Sequence, residues 1–386
     1  MVETGRYKIA FLISHPIQYY APLFKKLGEH PRVDLTVYFC LRAGSEKWDI
    51  PLLEGYKHVF LKNYSLKPAP TFFGQINPGI IRELKKNKYD AVIVHGYTAC
   101  ANWLAFFGAW LAKTPIVIKG EAVLLESASW WKKLVKKIFL GLMLKRVQAA
   151  LYAYKANKDF FRFYGVPEEK LFSCPCAVDN EFFQRRSKEL KDTKQLMKRE
   201  VGMKHTDWPV VLFVGKCIAR KRVMDLVRAA IKLKNRIDIN LLIVGDGPKK
   251  AALAHSVKEN NLENVYFTGF KNQSELPAYY RIADVFVLPS AFDPSPKAMN
   301  EAMNFSLPIV ATNGVKTAPD MIVENNAGFV YPVGDIEALS GYIEKIIKDA
   351  TLREKLGRNA LRAVGEWNFS RDVEGIIEAV DYVHKI

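Results

Sequence analysis

Short apolar segments alternate with helical segments along nearly the whole chain, and this alternation is the feature that most restricts its fold. In the first half, five segments have the uninterrupted apolar composition of buried parallel strands: 8–13, 33–39, 91–94, 115–118 and 149–152. Helical patterns lie between them at 21–28, 79–86 and 101–112. The alternation predicts an α/β fold with parallel, doubly wound sheets.

The same alternation resumes in the second half, after a polar and highly charged stretch at 184–207. Strands are predicted at 209–214, 240–244, 265–267, 283–288 and 308–311, and helices at 223–233, 249–260 and 336–349. A chain of 386 residues exceeds what one hydrophobic core usually supports, so we expect two Rossmann-like domains. We place the first at 1–183 with a returning helix at 370–386, and the second at 184–369, including the linker 184–207.

Two carboxylates bracket the segment Asp293–Glu301, where the strand 283–288 turns into a helix. Ser295 is suited to cap that helix, and Pro296 suits its first position. Asp293 then lies in the loop and Glu301 on the helix. Open α/β sheets bind ligands at the carboxyl ends of their strands, which makes both acids candidate ligand contacts. An ordinary strand–loop–helix unit with two solvated acids has the same spacing.

The segment resembles the signature of the family 4 retaining glycosyltransferases, also called glycosyl transferases group 1. Both acids are followed in order by Ala302-Met303 and, after a short linker, by Leu-Pro-Ile-Val-Ala at 307–311. The resemblance implies the GT-B fold, in which two Rossmann-like domains face each other across a cleft and the last helix crosses back to the first domain. It also implies that Asp293 contacts hydroxyls of the donor sugar and that Glu301 holds the nucleotide ribose. Carboxylates make strong charge-assisted bonds to vicinal hydroxyls.

A basic turn after the strand 209–214 resembles the diphosphate clamp of the same family. It contains Gly215-Lys216 and, five residues on, Lys221, with Arg220 beside it. A leaving nucleoside diphosphate gains charge as the glycosidic bond breaks, so two fixed cations stabilise the transition state most. Lys216 and Lys221 are therefore assigned with Asp293 and Glu301 to the catalytic centre, although basic turns are often simply solvated.

Further donor contacts follow from the resemblance. The segment 265–270 resembles the one whose backbone reads the base, which leaves UDP-linked and GDP-linked donors both open. The implied donor-binding residues are Gly215, Arg220, Gly269, Phe270, Ser295, Lys297 and Gly314. No metal or other cofactor is implied.

Three departures from the family pattern concern the sugar rather than the nucleotide. Asp293 stands where the family usually has Glu, and Pro296 stands where it often has Gly and removes a backbone donor. Residues 119–121, Lys-Gly-Glu, stand where relatives often show a second His. An unusual donor sugar or a weak activity is expected from these differences.

The first domain resembles the family more loosely. A bulky aromatic loop at 14–20 follows the first strand, where it would face the acceptor, and the segment 90–96 resembles the strand whose terminal His lines the cleft. A single His at a strand end is often structural, so this assignment remains open at the sequence level. The candidate acceptor or sugar contacts are His15, Gln18, Tyr19, Tyr20 and His95.

The net charge of +17 indicates anionic partners, and no nucleic-acid-binding motif accompanies it. Lysines and apolar residues at 130–146 share helical spacing, as in helices that lie on acidic membranes, although an ordinary surface helix has the same pattern. The residues expected at the membrane are Trp130, Trp131, Lys132, Lys133, Lys136 and Lys137. The apolar stretch 99–112 is too short to span a bilayer and predicts a buried helix.

The resemblance, together with the charge and the basic helix, implies an enzyme that transfers a sugar, with retention, from a nucleotide-diphosphate donor to a glycan or polyprenyl-linked acceptor. Assembly of a cell-surface polysaccharide or lipopolysaccharide is the expected setting. No signal peptide is visible and the five cysteines form no paired pattern, so we expect a cytoplasmic protein, peripheral to the inner membrane face. The alternatives are a nucleotide-sugar epimerase on the same scaffold and a degenerate, non-catalytic sugar-binding member.

Overall fold

The computed structural model describes residues 6–42, 48–124 and 130–385, except the side chains of 130–135. Contacts divide the chain into two compact units. The first unit comprises the chain up to Cys176 together with the segment from Phe369 onwards, and the second unit is Ala177–Asn368. The division thus falls a few residues before the expected boundary at 183.

The first unit is built on a parallel sheet, which has seven strands among the described residues. These strands are β1 (Tyr7–Ile13), β2 (Val33–Phe39), β3 (Lys57–Phe60), β4 (Ala91–His95), β5 (Ile116–Lys119), β6 (Ala149–Tyr152) and β7 (Leu171–Ser173). Their order is β3-β2-β1-β4-β5-β6-β7. Neighbouring strands pair in parallel register, as Ile9 does with Leu35 and with Ala91. The central strands are buried on both faces, which explains their unbroken apolar composition.

Helices connect these strands, and four of them share one hydrophobic core against the sheet. The connecting helices are α1 (Ala21–Glu29), α2 (Gly79–Asn87), α3 (Cys100–Ala112), α4 (Trp130–Leu144) and α5 (Lys155–Phe163). The shared core takes side chains from α2, α3, α4 and α5. All four therefore lie on the same face of the sheet.

Helix α3 is less buried than the sequence predicted. Its inner face packs Ala101, Ala105 and Ala109 into the core. Its outer face leaves Phe107 51%, Trp110 69% and Leu111 41% exposed. The expectation of a buried helix at 99–112 was wrong for this face, because a helix that is apolar all round carries no periodicity to identify its solvent side.

The second unit repeats the architecture with a parallel sheet of six strands in the part that is described. Its strands are β8 (Val210–Val214), β9 (Asn240–Val244), β10 (Val265–Gly269), β11 (Val285–Leu288), β12 (Ile309–Thr312) and β13 (Gly328–Tyr331), in the order β10-β9-β8-β11-β12-β13. Its helices are α6 (Asn180–Glu189), α7 (Lys194–Glu200), α8 (Val223–Leu233), α9 (Lys250–Glu259), α10 (Leu276–Ile282), α11 (Lys297–Met303), α12 (Ile336–Lys348) and α13 (Ala350–Gly365). The predicted α/β fold with two parallel-sheet domains is confirmed.

The last helix, α14 (Phe369–His384), returns to the first unit, where it packs on α1, β6 and β7. Ile376, Ala379 and Val380 are fully buried on its inner face. The predicted return of the C-terminal helix to the first domain is therefore observed. None of the helices in the described part of the chain has the length and apolarity that a bilayer crossing requires.

Candidate active site

Each sheet reverses its strand order once, and both reversals place predicted site residues at the carboxyl ends of the strands. In the second unit the reversal lies between β8 and β11, which are neighbours. Such a reversal leaves a crevice where open α/β sheets bind ligands. Lys216 and Lys221 follow β8, and Asp293 follows β11. The loops that bear three of the four predicted catalytic residues therefore leave adjacent strands at the same sheet edge.

The backbone around Asp293 is held by the next strand–helix loop. Asp293 N donates to Gly314 O at 3.0 Å, and Lys316 N donates to Asp293 O at 2.9 Å. A Cβ on Gly314 would lie 2.3 Å from Ala291 O, so no larger residue fits there without displacing the backbone. The predicted donor residue Gly314 thus allows two loops to pack closely and to fix Asp293.

The carboxylate of Asp293 is buried and paired with the predicted clamp. Lys221 Nζ forms an ion pair with Asp293 Oδ2, and the two side chains are 13% and 7% exposed. Arg220 Nη1 lies 3.9 Å from Asp293 Oδ1 and donates to Phe292 O at 2.7 Å. Lys216 is exposed at the end of β8. The alternative that Asp293 is an ordinary solvated acid is therefore excluded. Its carboxylate orients the ammonium of Lys221.

Glu301 lies on α11 and is only 1% exposed. Its carboxylate accepts a hydrogen bond from the hydroxyl of Tyr280 at 2.6 Å. The helix starts one residue later than predicted, because Pro296 precedes it as the N-cap. The predicted cap by Ser295 was wrong: no side chain caps this helix, and the Ser295 hydroxyl instead accepts a bond from Lys297 Nζ at 2.9 Å.

The remaining donor candidates lie along the same edge of the sheet. Gly215 N donates to Val244 O at 2.9 Å, and Gly245 N donates to Gly269 O at 2.8 Å. A Cβ on Gly245 would lie 2.0 Å from Gly215 O, so glycine is required where these turns meet. Phe270 follows β10 and is 47% exposed. The edge thus presents close-packed backbone turns beside an exposed aromatic ring.

In the first unit, the strand reversal between β1 and β4 borders a cavity of about 360 Å³. Ser14, after β1, and His95, at the end of β4, line it together with Lys119, Glu121, Tyr97 and Phe160. Aromatic walls with a few polar groups are typical of a small-molecule or sugar site. Of the predicted acceptor contacts, His95 alone is among the residues that line this cavity.

The other acceptor candidates lie on the loop after β1. His15 is half-buried, with Nδ1 2.9 Å from Ser14 Oγ, and Tyr19 is also half-buried. Gln18 and Tyr20 are buried, at 5% and 7% exposure. The ring of Tyr20 packs edge-on against His95, with centroids 5.1 Å apart. Burial raises the pKa of Tyr20 well above its usual range, which keeps its hydroxyl neutral.

A buried polar cluster behind the cavity was not predicted. Lys119, 1% exposed, donates to Cys174 Sγ at 2.8 Å and lies 4.0 Å from Asp372 Oδ1. Burial raises the pKa of Cys174, and its thiol donates to Asp372 at 3.1 Å. Burial also opposes charge on Lys119, but its neighbours outweigh this effect and hold the pKa of Lys119 above its usual range. The cluster joins β5 to α14.

The basic helix at 130–146 is α4 and the turn that follows it. The side chains of Trp130, Trp131, Lys132 and Lys133 lie outside the described residues. Lys136 points into a cage of three rings, with its Nζ 5.5 Å from Tyr97, 5.4 Å from Phe160 and 5.8 Å from Tyr164. Lys137 Nζ lies 5.2 Å over the ring of Phe163. Lys136 therefore anchors α4 to the wall of the cavity through cation–π contacts.

The second unit contains the part of the chain that matches a known protein family. Residues 195–363 match the family model of glycosyl transferases group 1. This region contains Lys216, Lys221, Asp293 and Glu301, so the match supports the resemblance that these residues carry. The structure of Anabaena HepE in complex with UDP superposes with a TM-score of 0.76 at 16% identity, covering 97% of this chain and 99% of that one. The predicted GT-B fold is confirmed by this likeness.

Two sequence relatives extend the similarity. The chain is 27% identical over 229 residues to N-acetyl-alpha-D-glucosaminyl L-malate synthase of Bacillus anthracis. This match covers 59% of the chain and about half, 55%, of the relative. The chain is also 28% identical over 88% of both sequences to the GDP-mannose-dependent alpha-(1-6)-phosphatidylinositol monomannoside mannosyltransferase of Mycolicibacterium smegmatis. The second relative, which is named as a mannosyltransferase, thus resembles the chain over most of its length.

Tyr280 is the site residue that the sequence did not identify. It lies on α10, which precedes β11, whereas Glu301 lies on α11, which follows β11, and the fold brings the two side chains together. A signal was present, since a buried tyrosine needs a partner for its hydroxyl. The sequence spacing does not identify Glu301 as that partner, because the two residues meet only in the folded structure.

Proposed function

We propose that the protein is a retaining glycosyltransferase that uses a nucleotide-diphosphate sugar as its donor. The observation that carries the proposal is the arrangement at the β8–β11 reversal: the buried pair of Lys221 and Asp293, with the buried carboxylate of Glu301 on the helix that follows. Removing charged groups from water is costly, and buried charged groups concentrate at functional sites. The family match over 195–363 supports this assignment.

The four residues divide three roles among them in the proposed reaction. Glu301 accepts hydrogen bonds from the ribose diol, and Asp293 contacts hydroxyls of the sugar while it orients Lys221. The bond between the anomeric carbon and the diphosphate oxygen breaks first, and its electron pair leaves with the diphosphate. Lys216 and Lys221 stabilise that charge. The acceptor oxygen then bonds to the anomeric carbon on the same face, and its proton passes to the leaving phosphate.

The acceptor part of the proposal rests on the first unit. A glycan or lipid-linked acceptor would enter the cavity beside His95, whose aromatic walls suit sugar rings. The Mycolicibacterium relative is named for a phosphatidylinositol acceptor, which supports an acceptor at a membrane surface. We place the reaction at the cytoplasmic face of the membrane, in the assembly of a cell-surface polysaccharide or lipopolysaccharide.

A product assay tests the reaction. The purified protein, given UDP-linked and GDP-linked sugars in turn, is expected to release nucleoside diphosphate slowly even without acceptor, because water can replace the acceptor hydroxyl. Proton NMR should show that the released sugar first has the anomeric configuration of the donor. Inverted product would exclude retention. An isomerised donor with no released diphosphate would identify an epimerase, and binding without turnover would identify a non-catalytic member.

Membrane association can be tested separately, by changing exposed residues on the outer face of α3. Phe107 and Trp110 are 51% and 69% exposed, one helical turn apart, and Ile138, Phe139 and Leu142 of α4 are also exposed on the same side of the sheet. Exposed apolar patches of this kind mark interaction surfaces, and the basic α4 favours anionic lipid. Replacing Phe107 and Trp110 together by serine is expected to lower binding to anionic vesicles at least tenfold, since burying each side chain contributes about 1.5–3 kcal/mol.

The matched control is Leu196→Ser on α7, a residue 58% exposed in the second unit, which should leave vesicle binding unchanged. Co-sedimentation at low and high salt measures the effect. Absence of vesicle binding by the wild type at low salt would overturn the membrane proposal. A wild-type dimer that the double substitution dissociates would instead assign the surface to a second copy of the chain.

A further inference from the structure

Tyr280 and Glu301 form a buried hydrogen-bonded pair in the second unit. The hydroxyl of Tyr280 donates to Glu301 Oε2 at 2.6 Å. Tyr280 is 0% exposed and Glu301 is 1% exposed. Hydrogen bonds to a carboxylate are among the stronger ones in proteins, and burial strengthens them further because no water competes. The pair therefore restrains the glutamate side chain.

The tyrosine ring is itself held on several sides by phenylalanines. Its centroid lies 5.5 Å from that of Phe305, 6.1 Å from that of Phe286 and 6.3 Å from that of Phe183. These rings come from three places, namely the turn after α11, β11 and α6. An aromatic side chain packed in this way has few alternative rotamers. The direction of the Tyr280 hydroxyl is thus set by the core of the unit.

We propose that Tyr280 is a positioning residue for the nucleotide subsite, which it serves by fixing the carboxylate of Glu301 toward the ribose diol. The inference rests on the proposed function of Glu301. A glutamate has three rotatable bonds, and ordering it costs conformational entropy that binding would otherwise have to offset. Tyr280 fixes the carboxylate before the nucleotide arrives, so that its hydrogen bonds to both ribose hydroxyls form at a lower entropic cost.

A merely structural tyrosine makes a different prediction. If the hydroxyl only satisfies its own burial, its loss lowers the stability of the unit and leaves the recognition of ribose unchanged. If it positions Glu301, its loss weakens the interaction that distinguishes a ribose diol from a deoxyribose. The ratio of the affinities for the two nucleotides separates these cases, because a general loss of stability affects both nucleotides alike.

The experiment compares Tyr280→Phe with Tyr331→Phe by calorimetry. Tyr331 is a matched control: it is 2% exposed in the same unit, and its hydroxyl has no hydrogen-bond partner among the described residues. The probes are the nucleoside diphosphate that the wild type binds and its 2′-deoxy and 3′-deoxy forms. We expect Tyr280→Phe to bind the ribonucleotide about tenfold more weakly while its affinity for the deoxy forms changes little. Tyr331→Phe should keep the wild-type ratio.

A double substitution completes the test. In a Glu301→Ala background, adding Tyr280→Phe should cause no further loss of nucleotide affinity, because the hydroxyl acts through the carboxylate. A folded Tyr280→Phe protein that keeps the full preference for ribose, whether or not its unfolding temperature falls, would overturn the inference. A wild type that binds neither UDP nor GDP would instead overturn the proposed function, so the two failures are distinguishable.

Discussion

Replacing Lys221 by alanine is expected to lower kcat for sugar transfer by about 10²–10³-fold, the usual cost of removing one charge-stabilising group from a transition state. The ammonium of Lys221 is held by the buried carboxylate of Asp293, so it is oriented before the donor arrives. Because the diphosphate gains most of its charge as the glycosidic bond breaks, kcat should fall more than KM rises. Steady-state kinetics with saturating donor measures both quantities.

The matched control for this substitution is Lys232→Ala. Lys232 also forms an ion pair with a carboxylate, that of Glu337, but both side chains lie on the surface of the second unit. Exposed ion pairs contribute little to stability, and this pair lies outside the candidate site. The kcat of Lys232→Ala should therefore stay within about twofold of the wild type. Equal losses in the two variants, or a Lys221→Ala enzyme with wild-type kcat, would contradict the role of Lys221 in stabilising the leaving group.

Replacing Asp372 by asparagine is expected to destabilise the first unit by about 3–5 kcal/mol, the usual cost of breaking a buried ion pair from one side. Asp372 and Lys119 have side chains only 0% and 1% exposed. Removal of the carboxylate leaves a buried ammonium without its counter-charge, and it weakens the bonds that Asp372 accepts from Cys174 and from the backbone N–H of Cys176. Urea denaturation followed by circular dichroism measures the change in free energy of unfolding.

Asp381→Asn, on the same helix, is the control for Asp372→Asn. Asp381 pairs with Arg32 at the surface, where their side chains are 30% and 47% exposed, so its loss should cost about 1 kcal/mol or less. Replacing both charges of the buried pair, in Lys119→Met with Asp372→Leu, should restore much of the lost stability, because no unpaired charge remains. Similar losses for Asp372→Asn and Asp381→Asn would show that the buried pair contributes no more than a surface contact.

The strands of both sheets could be predicted because parallel strands covered on both faces must be apolar throughout. That condition identified the regions of β1, β4, β8, β9 and β11 from composition alone. It failed for β3, which mixes polar with apolar residues, and for β13, which has only four residues, and both strands are only partly buried. Burial at these sheet edges depends on neighbours distant in the sequence, so no local pattern distinguishes them from loops.

The positions of the candidate residues Lys221, Asp293 and Glu301 were predictable, because each residue follows a strand in a recognisable order. Their contacts were not. The pairing of Lys221 with Asp293 joins loops after β8 and β11, and the pairing of Tyr280 with Glu301 joins α10 to α11. The Lys119 cluster likewise joins β5 to α14, residues far apart in sequence. Such contacts arise from the sheet order, which the alternation of elements leaves open.

Calorimetric titration with UDP and GDP tests the central claim most directly, because it asks whether the second unit binds a nucleoside diphosphate at all. The wild type is predicted to bind one of the two with one-to-one stoichiometry. Glu301→Ala, shown to be folded by its thermal unfolding, should bind that nucleotide at least tenfold more weakly, since it loses charge-assisted bonds to the ribose. Folded wild-type protein that binds neither nucleotide at millimolar concentration, or equal affinities for wild type and Glu301→Ala, would contradict the assignment of this site.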